Sequence, residues 1–136
     1  MAYQAKGTCV SVEYLVLGML ENNVYLISDG ESTMVVDPSC KADAILEALG
    51  GRKVDAIVLT AGVGENCEKM RRMIFPGLQP LGIILDEEKN RQRGFEREIS
   101  ADSSQVKIII IPTNEEYMIA RDTYEIVHDQ MVGIQP

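Results

Sequence analysis

Residues 54–66 have the sequence VDAIVLTAGVGEN, and this stretch decides the fold. Its first half, DAIVLT, is rich in β-branched and aliphatic residues, which predicts a buried strand. Gly62 and Gly64 then form a G-x-G turn, after which residues 65–75 have the pattern of a helix. Such a turn brings bare backbone close to a ligand and points free amides at an anion. Most G-x-G turns, however, are only tight connections between a strand and a helix.

The sequence before this stretch predicts an antiparallel meander and one helix. Turn formers separate short β-rich runs at residues 10–17, 23–28 and 33–36. Apolar residues then recur at helical spacing over residues 41–49, and two glycines end the pattern. Strand, helix, strand and helix in this order imply a parallel pair of strands with a right-handed crossover.

The sequence after this stretch predicts two more strands and one more helix. Residues 81–86, LGIILD, are interpreted as a strand, and the charged residues 87–98 as a solvated excursion of mixed sign. The apolar run at 107–111 suits a buried central strand. Thr113 and Glu116 have the spacing of a capping box, which predicts a helix over the following dozen residues.

These elements together predict an α/β fold in a single domain, residues 1–136. The expected architecture is three-layer-like, with a mixed sheet, N-terminal antiparallel strands, a parallel β-α-β core and about three helices. The length of 136 residues and the 46% hydrophobic content are enough for one core.

Composition excludes several classes of partner. The formal net charge of −8 repels nucleic-acid backbones and anionic lipids, so we expect neither as a partner. No apolar stretch approaches the roughly 18 residues that a spanning helix needs, and the start of the chain lacks the pattern of a signal peptide. We therefore predict a cytoplasmic protein. Three widely spaced cysteines, Cys9, Cys40 and Cys67, fit neither a disulfide framework nor a zinc site.

The front of the chain, residues 10–60, resembles the metallo-β-lactamase superfamily with its glyoxalase-II-like hydrolases. The resemblance rests on LGMLENNVYLIS at 17–28, MVVDPS at 34–39 and VDAIVLT at 54–60. In that family the last strand delivers a T-H-x-H-x-D-H loop of metal ligands. The sequence here is TAGVGEN, with every histidine position empty, and the chain's one histidine, His128, is interpreted as a surface residue. Asp37 is interpreted as a turn cap.

The rest of the chain, from residue 54 to about 127, resembles the C-terminal part of acetate kinase. Four blocks in the family's order carry this resemblance: VDAIVLTAGVGEN at 54–66, GLQPLGIILDEEKN at 77–90, RGFEREIS at 93–100 and VKIIIIPTNEEYMIARDT at 106–123. The resemblance implies Mg-ADP or Mg-ATP as ligand. It implies that Glu115 stands near the magnesium ion, that Met70 lies near the adenine, and that the other nucleotide contacts come from Ala61, Gly62, Val63 and Asn66.

The resemblance also implies what this chain does not do. In acetate kinases the acetate-binding and transition-state-stabilising groups precede VDAIVLTAG, where this sequence has β-lactamase-like strands instead. Arg71, Arg72 and Arg121 are interpreted as solvated helix charges. We therefore expect a chimera or remnant without catalytic activity, in which segments 1–53 and 54–136 are joined within VDAIVLT. Such a domain either binds no nucleotide or keeps weak nucleotide binding.

Two alternatives stay open. The first is an acetate-kinase-type phosphotransferase that a partner chain completes, and the second is a metallo-β-lactamase-fold hydrolase that works without metals. Acetate kinases are dimers, and a segment separated from its neighbours exposes apolar faces, so we also expect a homodimer.

Overall fold

The computed structural model describes residues 3–4, 10–60 and 62–132. Its strands are β1 (Tyr3–Gln4), β2 (Ser11–Leu17), β3 (Asn22–Ser28), β4 (Thr33–Val36), β5 (Ala56–Leu59), β6 (Arg97–Glu98) and β7 (Lys107–Ile110). Its helices are α1 (Ala42–Leu49), α2 (Gly62–Asn66), α3 (Glu68–Ile74), α4 (Glu87–Arg91) and α5 (Glu115–Val132), and a 3-10 helix occupies Phe75–Leu81. None of the helices in these ranges combines the length and apolar character of a membrane span.

The strands form one mixed sheet in the order β1-β2-β3-β4-β5-β7-β6. Strands β1 to β4 pair antiparallel, whereas β5 pairs parallel with β4 on one side and with β7 on the other. The predicted α/β fold class, with antiparallel strands in front of a parallel core, is therefore confirmed. Strand β5, which is the VDAIVLT segment, lies at the centre of the parallel part.

One face of this sheet holds the hydrophobic core. Leu26, Val35, Ile57 and Ile108 lie side by side across four strands, and each is at most 1% exposed. Helix α1 and the 3-10 helix pack on this face, because their apolar residues, among them Ile45, Leu49, Phe75 and Leu78, belong to the same buried cluster. The predicted helix over residues 41–49 is confirmed, with its first turn at Ala42.

The opposite face of the sheet is apolar and far less covered, and we call it the open face. Tyr14 and Tyr25 are 45% and 37% exposed there. Helix α1 and the 3-10 helix thus form a helical layer on the other side of the sheet, over the core face. The apolar residues of the open face, from their register, are Val12, Tyr14, Val16, Tyr25, Ile27, Met34, Val36, Val58 and Ile109. Val58 in the central strand is buried, and the exposed residues are on β2 and β3.

The prediction of a strand at residues 81–86 is wrong. Leu81 ends the 3-10 helix, and Gly82 adopts a left-handed backbone with φ 81° that turns the chain. The amide of Ile84 donates to the side chain of Ser104 instead of to a strand, and Leu85 makes only an isolated bridge with Ser100. Proline and left-handed glycine around residue 81 interrupt the extended run that the apolar composition suggested.

Two further stretches differ from their predictions. The helix predicted at 65–75 is split into α2 and α3, because Cys67 has an extended backbone with φ −116° and ψ 100°. The charged residues 87–98 are only partly solvated. They contain α4 and β6, and Asn90 is completely buried. The structure accordingly has five α-helices where about three were expected.

Helix α5 is longer than predicted and is capped differently. Its amide at Tyr117 donates to the side chain of Asn114, at 3.0 Å, so Asn114 takes the capping role that the sequence assigned to Thr113. Every described α5 side chain, from residue 115 to 128, is exposed. His128 is among them and stacks on Tyr124, with ring centroids 5.6 Å apart. Cys40 and Cys67 are free thiols, and Cys9 lies outside the described residues.

A close contact between α1 and the 3-10 helix gives a test of this packing. A Cβ added at Gly77 would lie 2.5 Å from Cβ of Ala42. We expect Gly77→Ala to lower the free energy of unfolding by about 1–3 kcal/mol through overpacking. Denaturant unfolding of both single variants and of the Ala42→Gly/Gly77→Ala double variant measures their coupling.

The free energy of unfolding of the double variant should be about 1 kcal/mol or more higher than the sum of the two single effects predicts. Removal of the Ala42 methyl group makes room for the methyl group added at residue 77. Simple additivity would show that α1 and the 3-10 helix are not in contact as described.

Candidate functional site

The carboxyl ends of β4, β5 and β7 lie together, and a carboxylate ties the first two. Asp37, just after β4, has a left-handed backbone with φ 52°. Its carboxylate accepts a hydrogen bond from the Thr60 amide at 2.6 Å and another from the Thr60 hydroxyl. Its own amide donates to the Val58 carbonyl at 2.9 Å. Asp37 therefore does more than cap a turn, because it fixes the end of β5 where the glycine turn begins.

A second link joins the end of β5 to the PTNEE motif. The Thr113 hydroxyl donates to the Thr60 carbonyl at 3.2 Å, and the Ile111 amide donates to the Leu59 carbonyl at 3.0 Å. Glu115 follows in the first turn of α5 and is exposed. The structure thus brings the glycine turn and the PTNEE motif to the same edge of the sheet.

Gly62 is exposed at the start of α2, and the fold does not need a glycine there. A Cβ added at Gly62 would meet no atom within 4 Å, and its backbone is not left-handed. Gly64, by contrast, is buried against Leu59. Open space above Gly62 leaves its backbone accessible to a ligand. Val63 lies between them in α2, and Ala61 lies outside the described residues.

Asn66 and Met70 follow on separate helices. Asn66 ends α2 and is exposed, whereas Met70 is on α3, beyond the extended residue Cys67, and is 37% exposed. Within the described ranges, no group of three or more His, Cys, Asp or Glu side chains could hold a metal ion. Glu115 is therefore not part of such a group in the described ranges.

Arg71 is the main correction to the sequence interpretation. It is not a solvated helix charge, because it is only 2% exposed. Its guanidinium donates to the carbonyls of Gly64 and Glu65, at 2.9 and 2.8 Å, so it holds the glycine turn from beneath. It also donates to the side-chain oxygen and the carbonyl of Asn90, at 2.6 and 2.7 Å. One buried cation therefore joins α2 to α4.

The helix pattern contained a signal for this burial. Arg71 precedes Ile74 and Phe75 by three and four residues, which places it on the apolar face of its helix. Arg72, one residue later, is a surface charge paired with Glu87 at 2.7 Å. Arg121 is exposed on α5 beside Asp122, so both of these arginines follow the prediction.

Two pKa shifts describe the electrostatics around α4. Burial, together with the charge of Arg97, lowers the pKa of Arg71 from its ordinary value. The amides of Lys89 and Glu88, which donate to Asp86 at the start of α4, lower the pKa of that carboxyl. Because this pKa is lower in the folded state, the cap stabilises α4 above the ordinary titration range of Asp and is lost as the pH falls through the lowered value.

The network around Arg71 predicts a large effect of a conservative change. Arg71→Lys keeps the charge, but a single ammonium cannot reach four acceptors that surround a planar fork. We expect a loss of about 2–3 kcal/mol in the free energy of unfolding, measured by urea denaturation. Arg121→Lys, an exposed matched control, should leave the urea midpoint unchanged. Equal midpoints for both variants would contradict the buried network.

Comparison with known proteins shows that the chain is similar to proteins of two families. The family model described as "Metallo-beta-lactamase superfamily" matches residues 17–60, which is about a third of the chain. The acetate kinase of Caldanaerobacter subterraneus subsp. tengcongensis is 60% identical over 84 residues, or 62% of this chain and 20% of that enzyme. The acetate kinase of Clostridium botulinum is 60% identical over 73 residues, or 54% of this chain and 18% of that enzyme.

A solved structure and a second family model add to these similarities. The crystal structure of acetate kinase from Entamoeba histolytica is similar with a TM-score of 0.52 and 25% identity, over 62% of this chain and 23% of that one. The chain thus spans about a fifth of the length of the relatives it matches. The model described as "Acetokinase family" matches residues 40–121, which is more than half of the sequence. The chain belongs to the acetokinase family.

Proposed function

We propose that this chain binds Mg-ADP or Mg-ATP weakly at the glycine turn and does not transfer a phosphoryl group on its own. The observation that carries the proposal is Gly62. Its Cα is exposed below open space while the residues on both sides of the turn are fixed, by Asp37 at Thr60 and by Arg71 at Gly64 and Glu65. A rigid turn with an accessible backbone suits a ligand that approaches closely.

The individual roles extend the family resemblance to this arrangement. The turn from Ala61 to Val63 would lie along the adenosine, and Asn66 and Met70 would contact it from α2 and α3. Glu115 would face the magnesium ion on the phosphates. Its position beside the turn is supported by the 3.2 Å hydrogen bond from Thr113 to Thr60.

The absence of transfer is proposed from the cations around β5. Phosphoryl transfer requires positive groups on the transferred phosphate in addition to the metal. Arg52 and Lys53 lie at the amino end of β5, away from the glycine turn, and each is bonded to a carboxylate. Arg52 also donates to the carbonyls of Ala48 and Leu49 at the end of α1. In the segment before β5, where the resembled family has its transition-state-stabilising groups, neither Arg52 nor Lys53 is placed to meet a nucleotide phosphate at the carboxyl edge of the sheet.

We also propose that the chain is a chimera of segments 1–53 and 54–136. The matches to the two families overlap at residues 40–60, which contain α1 and β5. A join in this region would leave the central strand and its crossover helix intact. The parallel pairing of β4 with β5, in which Val35 lies opposite Ile57, supports a single core shared by both segments.

The alternative of a phosphotransferase completed by another chain is favoured by the open face, which leaves apolar area for a partner. The alternative of a hydrolase without metals is less favoured, because the hydroxyl–carboxylate pair described at the glycine turn, Thr60 with Asp37, holds the end of β5 in place. We therefore keep nucleotide binding as the first proposal.

Self-association is proposed through the open face. Large apolar side chains that stay exposed on two neighbouring strands, here Tyr14 and Val16 on β2 and Tyr25 on β3, are typical of a surface that another chain covers. We expect gel filtration to give an apparent mass of two chains of 15.1 kDa. Tyr25→Lys should convert the dimer to a monomer, whereas Met19→Lys, at a completely exposed turn residue, should not. Elution of the unchanged protein at the apparent mass of one chain would contradict this proposal.

Nucleotide binding is tested by thermal unfolding with and without millimolar Mg-ADP. At about 100 times its dissociation constant the ligand stabilises a protein by about 2.7 kcal/mol, which raises the Tm of a domain of this size by several degrees. Gly62→Val should abolish this shift without unfolding the protein, because its side chain meets open space. Glu115→Ala should reduce it. Glu116→Ala, the neighbouring exposed carboxylate, is the matched control and should keep it.

Identical shifts in Gly62→Val and in the unchanged protein would place the nucleotide elsewhere or exclude it. Steady formation of acetyl phosphate from ATP and acetate by the purified chain would contradict the absence of transfer.

A further inference from the structure

A cleft behind the glycine turn collects arginines that have no carboxylate partner. It has a volume of about 230 Å³, and two glutamates, Glu65 and Glu68, lie at its wall. Of the chain's seven arginines, Arg52, Arg72 and Arg121 form ion pairs and lie elsewhere. The other four, none of which is in an ion pair within the described ranges, all line this cleft: Arg71, Arg91, Arg93 and Arg97. We call it the arginine cleft.

Two of these guanidinium groups, those of Arg71 and Arg97, have buried atoms and no carboxylate partner within the described ranges. Arg71 is 2% exposed, and its four hydrogen bonds all go to uncharged oxygens of Gly64, Glu65 and Asn90. Arg97 donates through Nη1 to the carbonyls of Gly94 and Phe95. Its Nε is buried and has no hydrogen-bond partner. A buried donor without an acceptor is costly, and a buried cation is normally paired with an anion.

Electrostatic repulsion between the two guanidinium groups strengthens the requirement for an anion. After burial itself, the positive charge of Arg97 is the largest cause that lowers the pKa of Arg71, whereas the charge of Glu68 at the wall raises it, so the two guanidiniums repel each other and Glu68 opposes part of that effect. In a chain whose net charge is −8, an excess of positive charge confined to one cavity is not a general property of the surface. An anion between the groups would relieve the repulsion and accept from Arg97 Nε.

From this geometry we propose that the arginine cleft binds a small phosphoryl oxyanion of the class of inorganic phosphate or pyrophosphate. A carboxylate is matched by one planar guanidinium fork, whereas a tetrahedral phosphoryl group presents oxygens to several arginines at once. The cleft is smaller than the roughly 300–1,000 Å³ of sites that enclose a drug-sized ligand, which favours a small ion over a whole nucleotide. This proposal does not rest on nucleotide binding at the glycine turn.

The test is calorimetric titration of the full chain with sodium phosphate and with pyrophosphate. Sodium chloride of matched ionic strength is the blank, because exposed arginines attract any anion by a screened field. We expect one saturable site per chain. Arg93→Gln, an exposed change that should not affect folding, and Arg97→Gln should each weaken binding about tenfold or more. Arg121→Gln on α5 is the matched control and should bind as the unchanged protein does.

Three results would overturn the proposal. The first is heat no larger than that of the chloride blank, and the second is an equal loss of binding in Arg93→Gln and Arg121→Gln. The third concerns the source of the phosphoryl group. If saturating Mg-ADP displaces phosphate, and Gly62→Val abolishes phosphate binding, the ion occupies the glycine turn. Unchanged phosphate affinity in the Gly62→Val variant supports a separate site, whatever the outcome for nucleotide.

Discussion

The buried guanidinium of Arg71 is the interaction on which the carboxyl edge of the sheet depends. It joins the carbonyls of the glycine turn to Asn90 in α4, and Asn90 in turn donates to the Glu68 carbonyl in α3. Three short helices, none of which would be stable alone, are thereby held in one arrangement. The backbone above Gly62 can stay open because the turn is supported from the opposite side.

The elements with a regular spacing of apolar residues were predictable from the sequence. The meander, α1 and β5 have clear patterns of alternating or helical apolar spacing, and the structure gives their positions to within about two residues. The exceptions depend on single residues. The backbone of Cys67 divides a helix that the pattern continues, and Gly82 turns a run of aliphatic residues away from the sheet. The backbone conformation at such positions is determined by contacts with distant residues, and a local sequence pattern does not contain that information.

The candidate site was predictable in its backbone parts and not in its side-chain parts. The glycine turn and PTNEE motif were identified from their sequence blocks, and the strand order brings them to one edge. The roles of Asp37 and Asn90 were missed, because each depends on a partner distant in sequence, Thr60 and Arg71 respectively. A polar residue in a charged stretch gives no local sign that it will be completely buried, as Asn90 is.

Helix α5 has a consequence for the dynamics of the chain. Its described side chains are all exposed, so little tertiary packing adds to the stability that its own hydrogen bonds and the Asn114 cap provide. Eighteen residues are close to the length at which an isolated helix is marginal in water. In the isolated chain α5 should therefore open and close as an independent cooperative unit. Its amide protons would exchange with solvent long before those of β5, whose exchange requires global unfolding.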